Sequence, residues 1–465
     1  MKRLNLERRY LGGIWAVFGW FLAAVWPAGA LAHTSEGGFV LLLPTGYYVW
    51  GGAASVAATV LLILLLPERA ARGMFATRRL FALCGGARWS LLTSGVCAVL
   101  LAGAVVEGLR GGQDPTHNAL PLLVWTAMWL FVVTAQGIVG DLWRWVSPFR
   151  APYALLRACG LRPVLRWPRG LGHWPGVLSY GAFAAVLLVD IAPADPDRLA
   201  WMVLGYWVLT LTGCVIFGPV WLVRAEGVGI VMRAYARLAP VARRGGAIQA
   251  GLPGWGWVSA PVPGVSLAIF MLITLACGSF DGLNETFAWL GWIGVNPLEF
   301  SGRSAVVLPN AVGLGVAVAA LVAAYGLAVQ AGLLLVGDRR FALGFRMLAP
   351  AILPIAFGYH IAHYLTAALV NGQYLADIVS DHIGGPEIEV TTGFLNQRAP
   401  VHVLFMVQAG AVVLGHVIAI LMSHAAALRL TGSHRRAAIS QAPLALFMIA
   451  YTLFGLWLLA SPRGA

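Results

Sequence analysis

The chain has 465 residues, of which 60% are hydrophobic and 11% charged, and its mean hydropathy is +0.80. A soluble chain of this length carries roughly a quarter charged residues, so a soluble globular enzyme, a disordered chain and a fibrous protein are excluded. Apolar runs of the ~20 residues that one helix needs to cross a bilayer recur throughout, which sets the class as all-α: a polytopic transmembrane helix bundle.

The beginning reads as a signal peptide. Lys2, Arg3, Arg8 and Arg9 precede an apolar stretch from Leu11 to about Trp26, and Ala30-Leu31-Ala32 forms an A-x-A cleavage site that leaves His33 as the new first residue. An uncleaved anchor is the alternative, since the stretch is long enough for one. With cleavage, residues 1–32 are the signal and 33–465 a single multi-pass domain.

Ten further spans follow, roughly 45–66, 89–106, 120–139, 172–192, 199–223, 260–279, 305–336, 348–370, 401–424 and 442–461. The seventh is long, and Pro309 and Asn310 mark where it would tilt or break. With the mature N-terminus outside, both ends are outside. The inner segments then hold 26 of the 31 Lys+Arg and 5 acidic residues, and the outer segments 5 and 13. That asymmetry is the positive-inside pattern. It also explains the net charge of +13 without nucleic acid, because no basic run is interleaved with aromatics.

Two inner loops are longer than the rest. Residues 140–171 contain Trp143, Arg144, Trp145 and the Tyr153–Arg157 segment, which reads as an interfacial helix. Residues 224–259 carry Arg233, Tyr235 and Arg237 at alternate positions. Neither is large enough for a soluble catalytic domain. Cys84, Cys97, Cys159, Cys214 and Cys277 form no CxxC pair, which argues against a disulfide framework.

Chemistry must come from the few polar residues at membrane depth. A free N-terminal His33 can bind copper through its amino group and ring, with His117 as partner; the plainer reading, which the sequence favours, is that it is just the residue where a peptidase cuts. Asp281, Asn284 and Glu285 close the sixth span on the outer side. They are either functional carboxylates or interfacial ones that are solvated or paired with Arg303. The eighth span is the strongest constellation: Pro354, which can kink the helix, then His360 and His363, which share one helix face at a spacing of three. Ionisable residues at that depth usually face the bundle interior or a water-filled cavity. The two imidazoles can bind one metal, or one can act as a base beside it; the bland alternative is a neutral pair satisfied by tyrosines and carbonyls. By depth alone, His382 and His402 could join His360, His363 and Asp281 in one outward-open cavity. Gln408 should lie near the depth of His363, and His416 about a turn inward of His360.

Residues 358–374 (GYHIAHYLTAALVNGQY), 280–287 (FDGLNETF), 296–304 (NPLEFSGRS), 141–150 (DLWRWVSPFR) and 32–44 (AHTSEGGFVLLLP) resemble bacterial integral membrane proteins known as fenitrothion hydrolases. The likeness covers most of the chain. It implies a membrane-embedded hydrolase of apolar organophosphorus triesters, in the bacterial inner membrane with both mature ends periplasmic. The partners would be the bilayer and an apolar small-molecule substrate, with no nucleic acid. Such chemistry calls for an activated water and a Lewis acid. On this reading Asp281, His363 and Glu285 are the catalytic candidates, and His360, His363, His382 and His402 the ligands of a divalent metal ion. Two rival classes use the same residues: a transporter for an ion or small solute, and a copper- or haem-handling membrane protein, for which His360 and His416 are the haem candidates.

Overall fold

The computed structural model describes residues 40, 43–82, 87–299 and 302–463; the expected signal peptide, its cleavage site, His33 and Cys84 lie outside these. Twelve helices position the site. They are α1 (Thr45–Leu65), α2 (Ala87–Arg110), α3 (Ala119–Val139), α4 (Trp174–Leu188), α5 (Pro196–Phe217), α6 (Gly227–Ala236), α7 (Val265–Leu283), α8 (Val307–Leu335), α9 (Phe341–Leu348), α10 (Leu353–His382), α11 (Arg398–Thr431) and α12 (His434–Ala460). Among the described residues, nine stretches are long and apolar enough to span a bilayer, the α9–α10 stretch counting as one. The all-α polytopic bundle read from the sequence is the observed architecture. The expected fourth span is the short α4, whose 15 residues cover about 22 Å at 1.5 Å each, less than the ~30 Å hydrocarbon core.

The outer belt is apolar, with Val99, Leu327 and Leu446 about 70% exposed, as lipid-facing positions require. Between helices, small residues let backbones approach closely. A Cβ on Gly358 of α10 would overlap the Ala411 carbonyl of α11, and one on Gly415 would overlap the Pro354 carbonyl. This crossing clamps α10, the histidine-bearing helix, against α11.

Prolines expected to distort spans do not. Pro309 lies in the first turn of α8, which continues unbroken to Leu335. Pro354 lies in the first turn of α10, after a 3-10 turn over Ala349–Ile352. A proline there loses only an N–H that has no intrahelical partner. Asn310 is buried instead of breaking its helix: its Oδ1 accepts from Trp289 Nε1 at 2.8 Å.

Residues 224–259, read as a loop, fold back on the bundle. Nearly every residue of α6 is buried. Glu226 caps it by accepting from Gly229 N at 2.7 Å and also accepts from the Tyr206 hydroxyl; burial pushes its carboxyl above the usual range, against the pull of Tyr206 and Arg233. Gly227 fits only because it has no Cβ, which would strike the Tyr180 main chain. Beyond α6, strands β2 (Val241–Arg244) and β3 (Ala247–Ala250) form a hairpin through Gly245 and Gly246, both at positive φ, the conformation a two-residue type I′ turn demands. Strand β1 (Arg78–Ala82) pairs antiparallel with β3.

Candidate functional site

α3 is not a plain α-helix: Leu122–Val132 is wound as a π-helix. Such segments are rare and concentrate at functional sites. Opposite it, α10 presents His360, buried to 6% exposure. His360 Nε2 is buried and has no hydrogen-bond partner. The Trp129 ring meets His360 edge-on at 5.3 Å, and Tyr364 packs at 4.9 Å.

One turn along α10, His363 Nε2 lies 3.2 Å from Asp281 Oδ2 of α7, with the two side chains 8% and 14% exposed. Tyr364 also donates its hydroxyl to Asp281 Oδ2. On the other side of the ring, Arg463 Nη2 faces His363 Nδ1 at 3.3 Å. A guanidinium has no acceptor, so Nδ1 offers its lone pair and Nε2–H donates to Asp281. The carboxylate therefore has two donors and the imidazole a fixed tautomer. Gly282 follows Asp281 because the Tyr359 hydroxyl occupies the space a Cβ would take.

These groups line one cavity of about 30 Å³, walled by the rings of Trp129, Tyr180, Phe183, Tyr235, Tyr359 and Tyr364, with Asp281, His360, His363 and Cys277 also facing it. A water needs ~10–15 Å³ of such space, so the cavity holds one or two water-sized occupants and no aryl triester as it stands. Asp281 and Leu188 lie at or near the C-terminal ends of α7 and α4, so the cavity sits toward the side where the chain's acidic residues gather. On the arginine-rich side α6 closes it: Tyr235 packs on Phe357 at 5.1 Å, and Trp257 Nε1 donates to Ala234 O at 2.9 Å.

Of the residues singled out in the sequence, Asp281, His360 and His363 share this cavity. The others are not brought to it. Glu285 pairs with Arg303 at 3.1 Å. His382 ends α10, 19 residues beyond His363, about 28 Å along the helix, and faces Glu107 at 3.5 Å. His402 Nε2 lies 3.1 Å from the Tyr48 hydroxyl. His416 faces its own helix, with Nδ1 2.9 Å from Val412 O. His117 is held at the surface by Asp114 at 3.1 Å. Among the described residues, no three His, Cys, Asp or Glu side chains stand close enough to hold a metal ion. With both nitrogens of His363 engaged, the donor set as arranged does not fit a metal centre.

Sequence reading missed Arg463, Tyr235 and Trp129. A lone arginine after the last span, and two aromatics on separate segments, carry no local signal. Compared with known proteins, the chain matches no family model, and no curated sequence and no solved structure matches it.

Proposed function

We propose that the Asp281–His363 pair is the proton-exchanging site of a membrane transporter. The observation that carries this reading is one carboxylate, only 14% exposed, held by the His363 and Tyr364 donors beside a cavity of water size. Buried ionisable pairs inside a bundle are costly, and proton relays are a function that retains them. The surroundings agree. The site is sealed on one side by α6, which is too short to span, and α10 begins beside it after the 3-10 turn over Ala349–Ile352. Broken and partial helices around a polar site are the architecture that alternating access uses. Protons reach Asp281 from the acidic side past Arg463, and leave when the pair is exposed to the other side by movement of α6. The test is a pH jump on purified protein in proteoliposomes adsorbed to a solid-supported membrane. A charge-displacement current is expected from wild type and not from Asp281→Asn; equal currents from both rule the reading out.

A second reading, triester hydrolysis, is favoured by one observation: His360, whose Nε2 is unpartnered, and His363 both line one water-sized cavity, where an imidazole can serve as general base to a water. His363, oriented by Asp281, would stand beside it. The triester would have to bind in a widened form of the cavity. Release of nitrophenol from fenitrothion by the purified protein, lost in His360→Ala/His363→Ala, supports it; no release from folded protein removes it.

A further inference from the structure

On the arginine-rich side a one-turn helix, Trp255–Val258, leads into α7. The last carbonyls of a helix have no partner within it, and here two guanidiniums from different elements meet them. Arg429 of α11 donates to the Val258 carbonyl. Arg244 of β2 donates to the Ser259 hydroxyl and, at 3.3 Å, to the Ser259 carbonyl. Arg244 also lies over the Trp255 ring at 5.8 Å, and Arg237, just after α6, lies over the Trp257 ring at 4.5 Å. Three positive charges are thus gathered on five consecutive residues. Carbonyls and ring faces attract them but supply no net negative charge. Among the described residues, none of the three pairs with a carboxylate. A guanidinium has five N–H donors in a fork that matches phosphate, and these three keep donors to spare.

Beside them lies a shallow cleft of about 20 Å³. Its walls are apolar: Pro261 and Val262 from the segment entering α7, Met347 and Pro350 from the segment entering α10, and Met422 and Ala426 from the last turns of α11. Arg429 is the one charged residue lining it. Two membrane helices begin at this cleft and a third ends there, so it lies where the hydrocarbon core gives way to headgroups. A soluble phosphate would meet the guanidiniums and leave the apolar cleft uncovered. A zwitterionic lipid would cover the cleft but bring its own ammonium among three arginines. A phospholipid whose headgroup carries only the phosphate charge answers both, and basic pockets between membrane helices are the kind of place that holds such headgroups.

We propose that this corner is a binding site for an anionic phospholipid, with its phosphate on Arg244 and Arg429, Arg237 adding charge, and its glycerol end in the cleft between the α7 entry and α11. The acyl chains continue into the bilayer. The site is separate from the Asp281–His363 cavity and does not depend on the function assigned to it.

The experiment uses the full chain in detergent, equilibrated with mixed micelles of phosphatidylglycerol and phosphatidylcholine in equal amounts, and counts retained lipid by native mass spectrometry. Wild type should retain phosphatidylglycerol in several-fold preference to phosphatidylcholine. Arg244→Gln/Arg429→Gln should lose that preference. Arg78→Gln/Arg79→Gln, which removes the same charge from the exposed strand β1 on the same side, should keep it. Arg244→Gln alone, at an exposed position of the hairpin, should lower the retention several-fold and serves if the double variant inserts poorly. Equal retention of the two lipids by wild type overturns the site. Equal losses in the two double variants would mean diffuse attraction to a basic face and overturn it as well. Displacement of the retained lipid by millimolar inorganic phosphate would identify a soluble-anion site and overturn the lipid assignment.

Discussion

His363 Nε2 stands 3.2 Å from Asp281 Oδ2, and Arg463 approaches the opposite ring nitrogen at 3.3 Å. Arginine cannot accept, so the imidazole is a fixed conduit: proton toward the carboxylate, lone pair toward the guanidinium. Asparagine at 281 keeps an oxygen for both donors and removes only the charge. Asp281→Asn should therefore insert and fold like wild type, and its pH-jump current should fall by about tenfold or more, because losing ~1.4 kcal/mol of proton affinity is already a factor of ten. Arg463→Gln should leave the carboxylate in place and shift the pH midpoint of the current. An unchanged midpoint would sink the role given to the guanidinium.

Gly282 and Tyr359 test the packing behind the site. A Cβ at 282 overlaps the Tyr359 hydroxyl, and that hydroxyl has no partner to lose. Gly282→Ala should cost about 1–3 kcal/mol through overpacking. Tyr359→Phe alone should be neutral or slightly stabilising, since it deletes an unsatisfied polar atom. Together the two should recover most of the loss. Thermal unfolding of the four proteins in detergent reads this cycle, and strictly additive effects would show that the two side chains do not meet.

His173, just before α4 and outside the spans, gives a pH dependence of stability. Burial lowers its pKa from 6.5 to about 4, and Arg224 and Arg233 add to the effect. The folded state thus binds fewer protons than the unfolded state between these values. Above pH 6.5 the two states agree. As pH falls from 6.5 to about 4 the unfolded chain takes up a proton first, and stability declines. Thermal midpoints measured across this window should fall with pH in wild type and fall less in His173→Gln. Parallel curves for the two proteins would remove His173 from the account.

The bundle was legible because membrane helices announce themselves by length and composition alone: every expected span has a helical counterpart. Depth was legible in part, since counting residues put Asp281 at the membrane edge, His360 near the bilayer middle and His363 one turn closer to the outside, so that the three could meet in one outward-open cavity. Rotation and lateral position were not. His382 and His402 have suitable chemistry, and nothing in their spacing says that one lies far along the same helix and the other beside Tyr48. α6 was hidden for a different reason. Its Arg233 and Tyr235 suggest a solvated loop, and only the Glu226 cap and the glycine contacts with α4 show why it is buried. Pro309 and Pro354 misled because a proline in a first turn and one in mid-helix look alike until the helix start is known.

Between α11 and α12 runs a chain of donors whose direction is set by one carbonyl. Gln441 Nε2 lies 3.1 Å from Ile420 O, so that atom must be the amide nitrogen. Gln441 Oε1 then faces His424 Nδ1 at 2.9 Å and accepts its proton. His424 Nε2 is left as an acceptor for His434 Nδ1 at 3.2 Å. Every proton follows from the first, because a neutral imidazole has one donor and one acceptor. Nitrogen-15 spectra of the histidines should show His424 and His434 both protonated at Nδ1 and bare at Nε2. Gln441→Leu removes the acceptor and strands the His424 donor in the interior, at a cost of about 1–3 kcal/mol. The same substitution should also move the His434 resonances, since that ring is held in its tautomer only through His424. A His434 spectrum indifferent to Gln441→Leu would mean that the two rings hold their protons independently.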